Sequence, residues 1–405
     1  MICLTLCKFL RNNEMKKKKI LFIDSEGGHG GASRSLFFLV KNLDKKKYFV
    51  KVICRKSSSL INDYNANNIE CLVFKDIPKF TSVKRLSINL YFLLKLFFLD
   101  WRKSYTFRKK LKILSYEFDY IHFNHINLFL LARWLKNNNK KSKFTMHLRT
   151  NPYYNLTSII QTKIAAKVID KFICITENEE MTFRKLLGNK KFNYKIIHNI
   201  IEVENSNSKK YNFLKKKGVI NIGLVSNYSY IRGTDRFANI IKELKLISEI
   251  KYVFIFAGDN NMTNHDRRKL KLKGSFPENL KQFATLRNVD KDCIFLGHID
   301  NPEELYPNID ILLKPTRDNN PWGRDLLEAM SCEVPVISVG SYSKFVNKNT
   351  GYLMKKFDTK VCAHQINKIS KNKVLKIKLG RQARHIIKKL CSKSACQTSL
   401  EKFWS

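Results

Sequence analysis

The feature that most constrains this chain is the alternation of apolar, β-rich runs with helical patterns along almost its whole length. The runs that predict strands in the first half are 18–26, 48–56, 69–76, 118–125, 143–151, 171–178 and 195–203. A second set follows at 219–227, 251–259, 292–299, 309–316 and 334–340. Helical spacing lies between them at 33–43, 83–116, 128–136 and 234–247. This alternation predicts an α/β protein with parallel sheets covered by helices on both faces.

The length of the chain indicates two domains. Single hydrophobic cores stop growing at roughly 250 to 300 residues, whereas this chain has 405. A polar stretch rich in Lys, Asn and Ser, 204–218, separates the two sets of predicted strands. We therefore place an N-terminal domain at 1–205, a linker at 206–217 and a C-terminal domain at 218–385.

Charge and cysteine usage narrow the possible partners. The chain has 76 Lys and Arg against 34 Asp and Glu, a formal charge of +42, which favours phosphates, anionic membranes or nucleic acid. The lysines are spread over the whole chain, and no RNP-like, zinc-finger or helix-turn-helix pattern occurs, so no nucleic-acid partner is predicted. The ten cysteines lack C-x-x-C spacing and are interpreted as reduced thiols of a cytoplasmic protein.

No membrane span is predicted. The N-terminal apolar run precedes its charges, the reverse of a signal peptide, and translation could begin at Met1 or at Met15. The longest apolar stretch, 86–101, is shorter than the roughly 20 residues that a span needs. The helical region 82–112 is both apolar and basic, and two interpretations stay open: contact with an anionic membrane, or a buried helix whose lysines reach solvent.

The stretch PTRDNNPWGRDLLEAM, residues 315–330, carries the strongest chemical signal. Pro321 fixes a turn, Gly323 allows close approach of the backbone, and the helix that follows begins with free N–H groups that suit a diphosphate. A carboxylate at Glu328 on that helix could accept both hydroxyls of a ribose. The alternative from spacing alone is an ordinary i,i+4 ion pair between Arg324 and Glu328.

The block 296–340 is similar to the donor-site signature of family-four retaining glycosyltransferases with the GT-B fold. That signature has a carboxylate, a Pro/Gly-aromatic-Gly turn, a second Glu eight positions after the first, Ala-Met and Pro-Val-Ile. Residues 220–244 resemble the family's phosphate-binding loop and helix, and 27–43 resemble the glycine loop of its acceptor domain. The resemblance implies two Rossmann-like, doubly wound domains facing each other across a cleft. It also implies that 386–405 return to the N-terminal domain.

Site residues follow from this resemblance. The implied donor-binding residues are Gly30, Gly31, Asn227, Arg232, Gly233, Trp322, Gly323, Arg324 and Glu328. The implied catalytic residues are Asn320, His147 and Glu328, and the implied acceptor-binding residues are Asn124, His125 and Arg149. No metal and no cofactor are expected beside a UDP- or GDP-linked sugar.

The chain departs from the family pattern at three positions. Asn320 stands where the first carboxylate of the pair is expected, so this group is an amide without charge. Asn227 stands at the arginine that usually clamps the diphosphate, and Arg232 stands at the lysine. Diphosphate binding is therefore expected to depend on Arg232, backbone N–H groups and either Arg324 or Arg317.

The predicted function is transfer of a sugar, with retention of configuration, to a glycan or lipid-linked acceptor in cell-surface polysaccharide or lipopolysaccharide synthesis. The predicted location is the cytoplasm, at the inner face of the cell membrane where residues 82–112 contact lipid. Two other classes stay open: a catalytically degenerate binder of nucleotide sugars, which Asn320 and Asn227 favour, and a basic protein that binds membrane surfaces or nucleic acid.

Overall fold

The computed structural model describes residues 17–28, 30–202, 208–270 and 277–404. These described residues fall into two units, one of residues up to 200 together with 396–404 and the other of residues from 201 to 395. Both choices for the start of translation, Met1 and Met15, lie outside the described residues.

The first unit is built on a seven-stranded sheet in the order β3-β2-β1-β4-β5-β6-β7. Every described pairing in it is parallel. The strands are β1 Lys18–Asp24, β2 Tyr48–Cys54, β3 Glu70–Val73, β4 Tyr120–Phe123, β5 Lys143–Leu148, β6 Lys171–Cys174 and β7 Tyr194–Ile196. Along β1, Leu21 and Ile23 face one apolar core, whereas Ile20 and Phe22 face another, because successive side chains of a strand point to opposite faces.

Helices cover both faces of this sheet. They are α1 Gly31–Lys41, α2 Leu60–Ala66, α3 Leu86–Lys95, α4 Tyr105–Ser115, α5 Phe129–Asn138, α6 Leu156–Val168 and α7 Glu177–Leu186. The prediction of a single helix over 83–116 is wrong. Helix α3 continues through a π-helical turn, Leu96–Asp100, into a short helix, Trp101–Lys103, but this helical run ends at Ser104, before α4. The Ser104 hydroxyl donates to the carbonyl oxygen of Trp101.

The second unit is built on a six-stranded sheet in the order β10-β9-β8-β11-β12-β13, and its described pairings are parallel. Its strands are β8 Val219–Val225, β9 Lys251–Ala257, β10 Cys293–Gly297, β11 Ile311–Lys314, β12 Val336–Val339 and β13 Gly351–Met354. The strand β13 was not predicted, since its four residues carry no long apolar run. Its helices are α8 Phe237–Ile247, α9 Asn264–Lys269, α10 Leu280–Leu286, α11 Arg324–Ser331, α12 Thr359–Lys371 and α13 Lys373–Cys391, with α14 Lys393–Glu401 crossing to the first unit.

Each sheet has a point at which the strand order reverses. It lies between β1 and β4 in the first unit and between β8 and β11 in the second. Ligands of doubly wound sheets bind outside the carboxyl ends of the strands at such points. The loops that follow these four strands are therefore where a site is expected in each unit.

Two boundaries differ from the prediction. The described part of the predicted linker, 208–217, packs on the second unit, where Tyr211 and Leu214 are buried. The C-terminal return begins at 396 instead of 386, because α13 packs on α11 in the second unit. In the first unit, Trp404 is fully buried, and its carbonyl oxygen accepts a hydrogen bond from Lys18 Nζ at 3.0 Å.

Candidate functional site

Two loops meet at the strand-order reversal of the second unit. Residues 226–236 follow β8, and residues 315–323 follow β11 and lead into α11. Gly233 joins them closely: it has a φ of 71°, and a β-carbon there would lie 2.0 Å from the carbonyl oxygen of Pro315. Glycine is therefore required at this contact.

The loop 315–323 is held by its own polar groups. Asn319 adopts a left-handed φ of 53° and exchanges two hydrogen bonds with Ser341, at 3.1 and 2.8 Å. Ser338 Oγ donates to the carbonyl oxygen of Pro321 at 2.7 Å. These bonds fix the turn before any ligand arrives.

Helix α11 begins at Arg324 directly after Gly323, which has no side chain to cap it, and within the first turn the Leu326 N–H donates to the Asp325 carboxylate. A β-carbon on Gly323 would lie 2.5 Å from Asp325 Oδ1 and 2.9 Å from Lys314 Nζ. The uncapped N–H groups and the positive end of the helix dipole suit an anion. Phosphate binding at the start of α11 is thus chemically possible, as the sequence predicted.

Glu328 is buried on α11 and held from two sides. Its Oε1 lies 2.7 Å from Arg324 Nε, and its Oε2 accepts from the Tyr306 hydroxyl at 3.3 Å. The i,i+4 ion pair between Arg324 and Glu328, which was the alternative interpretation, is therefore present. It is buried and does not lie on an exposed helix surface. Its partners hold the carboxylate in one orientation.

Asn320 and Trp322 each carry a polar atom that is buried and lacks a partner within the described residues. They are Asn320 Oδ1 and Trp322 Nε1. The Asn320 backbone N–H donates to Asp318 Oδ1 at 3.2 Å, and the Trp322 ring lies 6.0 Å from that of Phe345. Buried polar groups without partners are uncommon in native proteins, so both atoms have hydrogen-bonding capacity to spare.

Asn227 and Arg232 are both exposed. Asn227 Oδ1 accepts from the Asp259 backbone N–H at 2.8 Å, so this amide closes the turn after β9. Arg232 has no ion pair within the described part of the chain, although its charge acts on Asp325. Burial alone would raise the pKa of Asp325, but Lys314 and Arg232 hold it below its usual value. The ion pair between Lys314 and Asp325, at 2.7 Å, was not predicted.

Arg317 braces the two loops. Its guanidinium forms a bidentate pair with Asp235 at 2.8 and 2.6 Å, donates to the carbonyl oxygen of Tyr230 and stacks 4.0 Å from the Tyr230 ring. These contacts make it a poor candidate for the diphosphate clamp that the sequence allowed. A charged residue directly after a buried strand was the signal available for Lys314 and Arg317, but their partners come from distant segments.

In the first unit, two predicted residues belong to one hydrogen-bonded chain at the ends of β1, β4 and β5. Asn124 Nδ2 donates to Asp24 Oδ1 at 3.0 Å, and Asn124 Oδ1 accepts from Arg149 Nε at 2.6 Å. Arg149 Nη1 donates to Asn199 Oδ1 at 3.0 Å. The sequence had singled out Asn124 and Arg149 but missed Asp24, a buried carboxylate at the end of β1.

His125 caps the turn Ile126–Leu128 with its ring. Nδ1 accepts from the Asn127 backbone N–H at 3.1 Å, and Nε2 lies 3.3 Å from Thr150 Oγ1. Burial and the positive charge of Arg149 lower the pKa of His125 to about 4. The ring is therefore neutral at pH 7.

His147, which was expected to be catalytic, lies inside the first unit. Its side chain is buried, and Nδ1 lies 2.7 Å from Nε2 of His122, whose Nδ1 lies 2.8 Å from Thr145 Oγ1. Trp404 Nε1 donates to the same Thr145 hydroxyl at 3.3 Å. Burial, followed by Arg149, lowers the pKa of both histidines well below the usual value.

The glycine loop contains a sterically constrained residue that the sequence did not single out. Gly30 precedes Gly31, the first residue of α1, and a β-carbon on Gly30 would meet nothing within 4 Å. The sterically required glycine is Gly27, which has a φ of 85° and would place a β-carbon 2.7 Å from Cys54 Cβ. Open space at Gly30 leaves room beside the start of α1.

A cluster of apolar side chains is exposed on α3 and the π-helical turn. This apolar face consists of Leu86, Leu90, Tyr91, Leu94, Phe97, Phe98 and Leu99, which are 49 to 65% exposed. The buried side of α3 instead includes Asn89, which bonds to both backbone groups of Val83 at 2.7 Å. The helix thus directs its amide inward and most of its large apolar side chains outward.

Two features are absent from the described ranges. In residues 17–28, 30–202, 208–270 and 277–404, no three or more His, Cys, Asp or Glu side chains are grouped so that they could hold a metal ion. None of the helices in these ranges is long and apolar enough to cross a membrane.

Two family models match the chain. The model described as Glycosyltransferase Family 4 matches residues 29–205, and the model described as Glycosyl transferases group 1 matches residues 205–386. The matches meet at residue 205 and together extend over 29–386.

Two curated bacterial proteins align with part of the chain. The capsular polysaccharide biosynthesis glycosyltransferase CapM of Staphylococcus aureus is 27% identical over 117 residues, 28% of this chain and 30% of CapM. The N-acetyl-alpha-D-glucosaminyl L-malate synthase of Bacillus anthracis is 33% identical over 124 residues, 29% of this chain and 32% of the synthase. The aligned part of this chain spans about a third of the length of each relative.

Solved structures align over almost the whole chain. Anabaena Alr3699/HepE in complex with UDP and glucose has a TM-score of 0.74 at 17% identity and covers 95% of this chain and 99% of its own. Staphylococcus aureus TarM, in complex with Fondaparinux, alpha-GlcNAc-glycerol and UDP, has a TM-score of 0.69 at 12% identity and covers 96% and 100%. At these identities the likeness establishes the fold.

Proposed function

This chain belongs to the family-four glycosyltransferases with the GT-B fold, and on that premise we propose that it transfers a sugar from a nucleoside-diphosphate sugar to a glycan or lipid-linked acceptor. Structures of a relative with UDP and with UDP-glucose favour UDP over GDP in the donor. The similarity to CapM supports a role in synthesis of cell-surface polysaccharide or lipopolysaccharide.

The observation that carries this proposal is the pair of braced loops at the strand-order reversal of the second unit. Arg317 and Gly233 hold the loops together, and α11 begins there without a side-chain cap. A preorganised turn that ends in free N–H groups is suited to a diphosphate, since it needs no rearrangement to meet the charge.

Specific residues are proposed to contact each part of the nucleotide sugar. Arg232 and the first N–H groups of α11 bind the diphosphate, and Glu328 accepts hydrogen bonds from the ribose hydroxyls. Asn320 positions the transferring sugar through its amide, which both donates and accepts. Trp322 and Gly323 form the turn between them, while Asn227 fixes the loop after β8 through Asp259. Gly30 and Gly31 offer N–H groups at the start of α1 to phosphate oxygens.

The reaction is proposed to proceed with retention and without a metal. Arg232 and the helix N–H groups stabilise the charge that develops on the leaving diphosphate. In the family's usual account, a leaving phosphate oxygen takes the proton of the acceptor hydroxyl as that hydroxyl attacks the same face of the sugar. Neutral Asn320 is consistent with this account, since it leaves the proton to the phosphate.

The acceptor is proposed to bind near the ends of β4 and β5. Asn124, His125 and Arg149 offer hydrogen-bonding groups there. Because His147 is buried against His122, we assign it a positioning role that fixes β5 beside Arg149. The catalytic role that the sequence suggested for His147 is thus replaced by an indirect one.

A degenerate binder is the second candidate, and Asn320 and Asn227 are the observations that favour it. Such a protein would bind a nucleoside diphosphate and yet transfer no sugar. Release of the nucleoside diphosphate from its sugar, measured with a mixture of bacterial lipid-linked glycans, separates the two candidates.

Thermal unfolding with a nucleotide panel tests the donor site first. The panel contains UDP, GDP, ADP, CMP and their sugars without added metal. A ligand at 100 times its Kd should stabilise the protein by about 2.7 kcal/mol, so one nucleoside diphosphate should raise the melting temperature clearly. If none of them does, the donor-site assignment is wrong.

We further propose that the protein works at the inner face of the cell membrane, with the apolar face of α3 against lipid. Segment 82–112 contains nine Lys or Arg and one Asp, and an exposed apolar surface with basic flanks suits an anionic bilayer. A second copy of the chain is a poorer occupant, because the same positive segment would then meet itself.

Vesicle sedimentation tests this contact. Leu90→Gln combined with Phe98→Gln should lower partition onto phosphatidylglycerol vesicles at least tenfold. The matched control is Leu246→Gln with Val374→Gln, which removes two apolar side chains of the second unit that are more exposed than Leu90 and Phe98 and should leave partition onto the vesicles unchanged. Equal losses in both variants, or no binding by the parent protein, would exclude the proposed surface.

A further inference from the structure

A cavity of about 320 Å³ opens in the second unit beside the loop 226–236. Four cationic side chains line it, against one carboxylate, Asp235. The four are Arg236, Lys269, Arg287 and Arg317. The wall therefore carries a formal charge of +3, which favours an anionic occupant.

Only one of these cations is neutralised by a partner within the described residues. Arg317 forms the bidentate pair with Asp235. Arg236 donates to the carbonyl oxygens of Pro315 and Thr316 at 2.9 and 3.1 Å, which satisfies hydrogen bonds but adds no negative charge. Lys269 and Arg287 have no ion pair in that part of the chain. Three positive charges are thus available to one ligand.

The pKa of Arg236 shows that this arrangement of cations is unfavourable without a ligand. Its guanidinium is half-buried, and burial, followed by the charge of Arg317, lowers its pKa to about 10. Holding a cation out of water near another cation costs free energy. An anion bound beside Arg236 would remove that cost, which the charge of Asp235 offsets only in part.

Aromatic rings orient two of the guanidinium groups. Arg236 stacks 4.0 Å from the Phe357 ring centroid, and Arg287 lies 5.4 Å from that of Phe283. Stacked guanidinium groups keep their N–H edges free and are well suited to phosphate oxygens. These two guanidinium groups therefore lie against rings of the fold and are not merely mobile surface charges, whereas Lys269 is exposed.

The cavity is separate from the proposed donor contacts. None of the residues assigned to the nucleotide sugar lines it, while Tyr230 and Arg317, which brace the donor loops, form part of its wall. Its volume lies at the lower end of ligand pockets, which run from roughly 300 to 1,000 Å³. A water takes up about 30 Å³, so the space exceeds what inorganic phosphate alone would fill.

We propose that this cavity binds a small organic phosphate, such as a sugar monophosphate, with the phosphate group between Arg236, Lys269 and Arg287. The organic part would lie against Phe283 and Phe357. This site does not depend on the transferase activity proposed above, and it is a second ligand site on the same unit.

Calorimetric titration with glucose 6-phosphate tests the site on the full chain. Arg287→Ala combined with Lys269→Ala should weaken binding at least tenfold. The matched control, Lys281→Ala with Lys291→Ala, removes two exposed positive charges of the same region that do not line the cavity and should leave the Kd unchanged. Glucose should not bind, and inorganic phosphate should compete with glucose 6-phosphate.

Titration of UDP with the same preparations separates this site from the donor site. The lining variant should retain the parent's affinity for UDP if the parent binds it. Equal weakening of glucose 6-phosphate binding in both double variants would mean diffuse attraction by the positive surface and overturn the proposal. Absence of binding to the parent protein would overturn it as well, and loss of UDP affinity in the lining variant would assign the cavity to the donor site.

Discussion

Among single residues, Arg317 and Arg232 lie on the two donor-side loops but differ in their surroundings. The guanidinium of Arg317 donates hydrogen bonds to the Asp235 carboxylate and to the Tyr230 carbonyl oxygen. Arg232, in contrast, is exposed, and within the described ranges no carboxylate lies at ion-pair distance from its guanidinium. The first therefore supports the loops, and the second is left to bind a ligand. From the sequence, Arg232 was expected to bind the diphosphate together with either Arg324 or Arg317.

Substitution of these arginines should separate the two roles. Arg317→Met leaves Asp235 buried without its partner, which should cost about 3 to 5 kcal/mol of unfolding free energy. Arg232→Met should change stability by less than about 0.5 kcal/mol and weaken UDP binding at least tenfold. Urea unfolding and calorimetric titration measure the two effects. Equal UDP affinity in Arg232→Met and parent would move the clamp elsewhere.

Glu328 should be needed for the nucleotide beyond its structural role. Glu328→Gln removes the carboxylate that we assign to the ribose, so the Kd for UDP should rise at least tenfold. It also leaves Arg324 as a buried charge without its ion pair, so binding must be measured well below the melting temperature of the variant.

Tyr306→Phe is the control for Glu328. It removes the hydroxyl that donates to Glu328 Oε2 and should cost about 1 kcal/mol of stability. The carboxylate itself remains, so UDP binding should change little. If both variants bind UDP as the parent does, Glu328 has only a packing role.

At the scale of elements, the turn Ile126–Leu128, which precedes α5, depends on a neutral histidine. His125 Nδ1 must be unprotonated to accept from the Asn127 N–H, and the pKa of His125 is lowered to about 4 by burial and Arg149. In the unfolded chain a histidine titrates near roughly 6.5. The unfolded state then binds more protons between these values, so this residue makes stability fall as pH drops from about 6.5 to about 4.

His125→Asn should reduce that pH dependence. Asparagine also caps helical turns through its side-chain oxygen but does not titrate. The unfolding free energies of parent and variant are measured in urea at pH 7.5 and 5.5. Between these two pH values, the unfolding free energy of the parent should fall by more than that of the variant. Glu179, whose pKa is raised by burial to about 7, acts in the opposite direction but equally in both proteins. Parallel losses would contradict the assignment.

Element order was predictable from the sequence because strands buried on both faces appear as long apolar runs. The runs at 18–26 and 219–227 correspond to β1 and β8, and the loops after them hold the candidate sites. Side-chain partners were not predictable. Asp24, Asn124 and Arg149 come from three separate strand ends, and Trp404 reaches Thr145 from the far end of the chain. Such contacts depend on three-dimensional packing that periodicity does not encode.

At the scale of the whole molecule, each unit has its own core. The clusters that line the first sheet contain residues up to Ile200 together with the C-terminal tail, which includes Trp404. The cluster of the second sheet draws on 222–379. Units with separate cores can unfold in separate steps, and a ligand stabilises only the step that destroys its site.

Calorimetry should therefore resolve two unfolding transitions. UDP should raise chiefly the transition of the second unit, because most of the residues proposed to bind it, including Arg232 and Glu328, lie there. Trp404→Ala should lower the other transition, since loss of a fully buried Trp costs about 3 to 5 kcal/mol and its neighbours Phe22 and Tyr48 belong to the first unit. The two perturbations identify the transitions independently. If UDP and Trp404→Ala shift the same transition, the units unfold together and the donor site cannot be assigned to the second unit by this means.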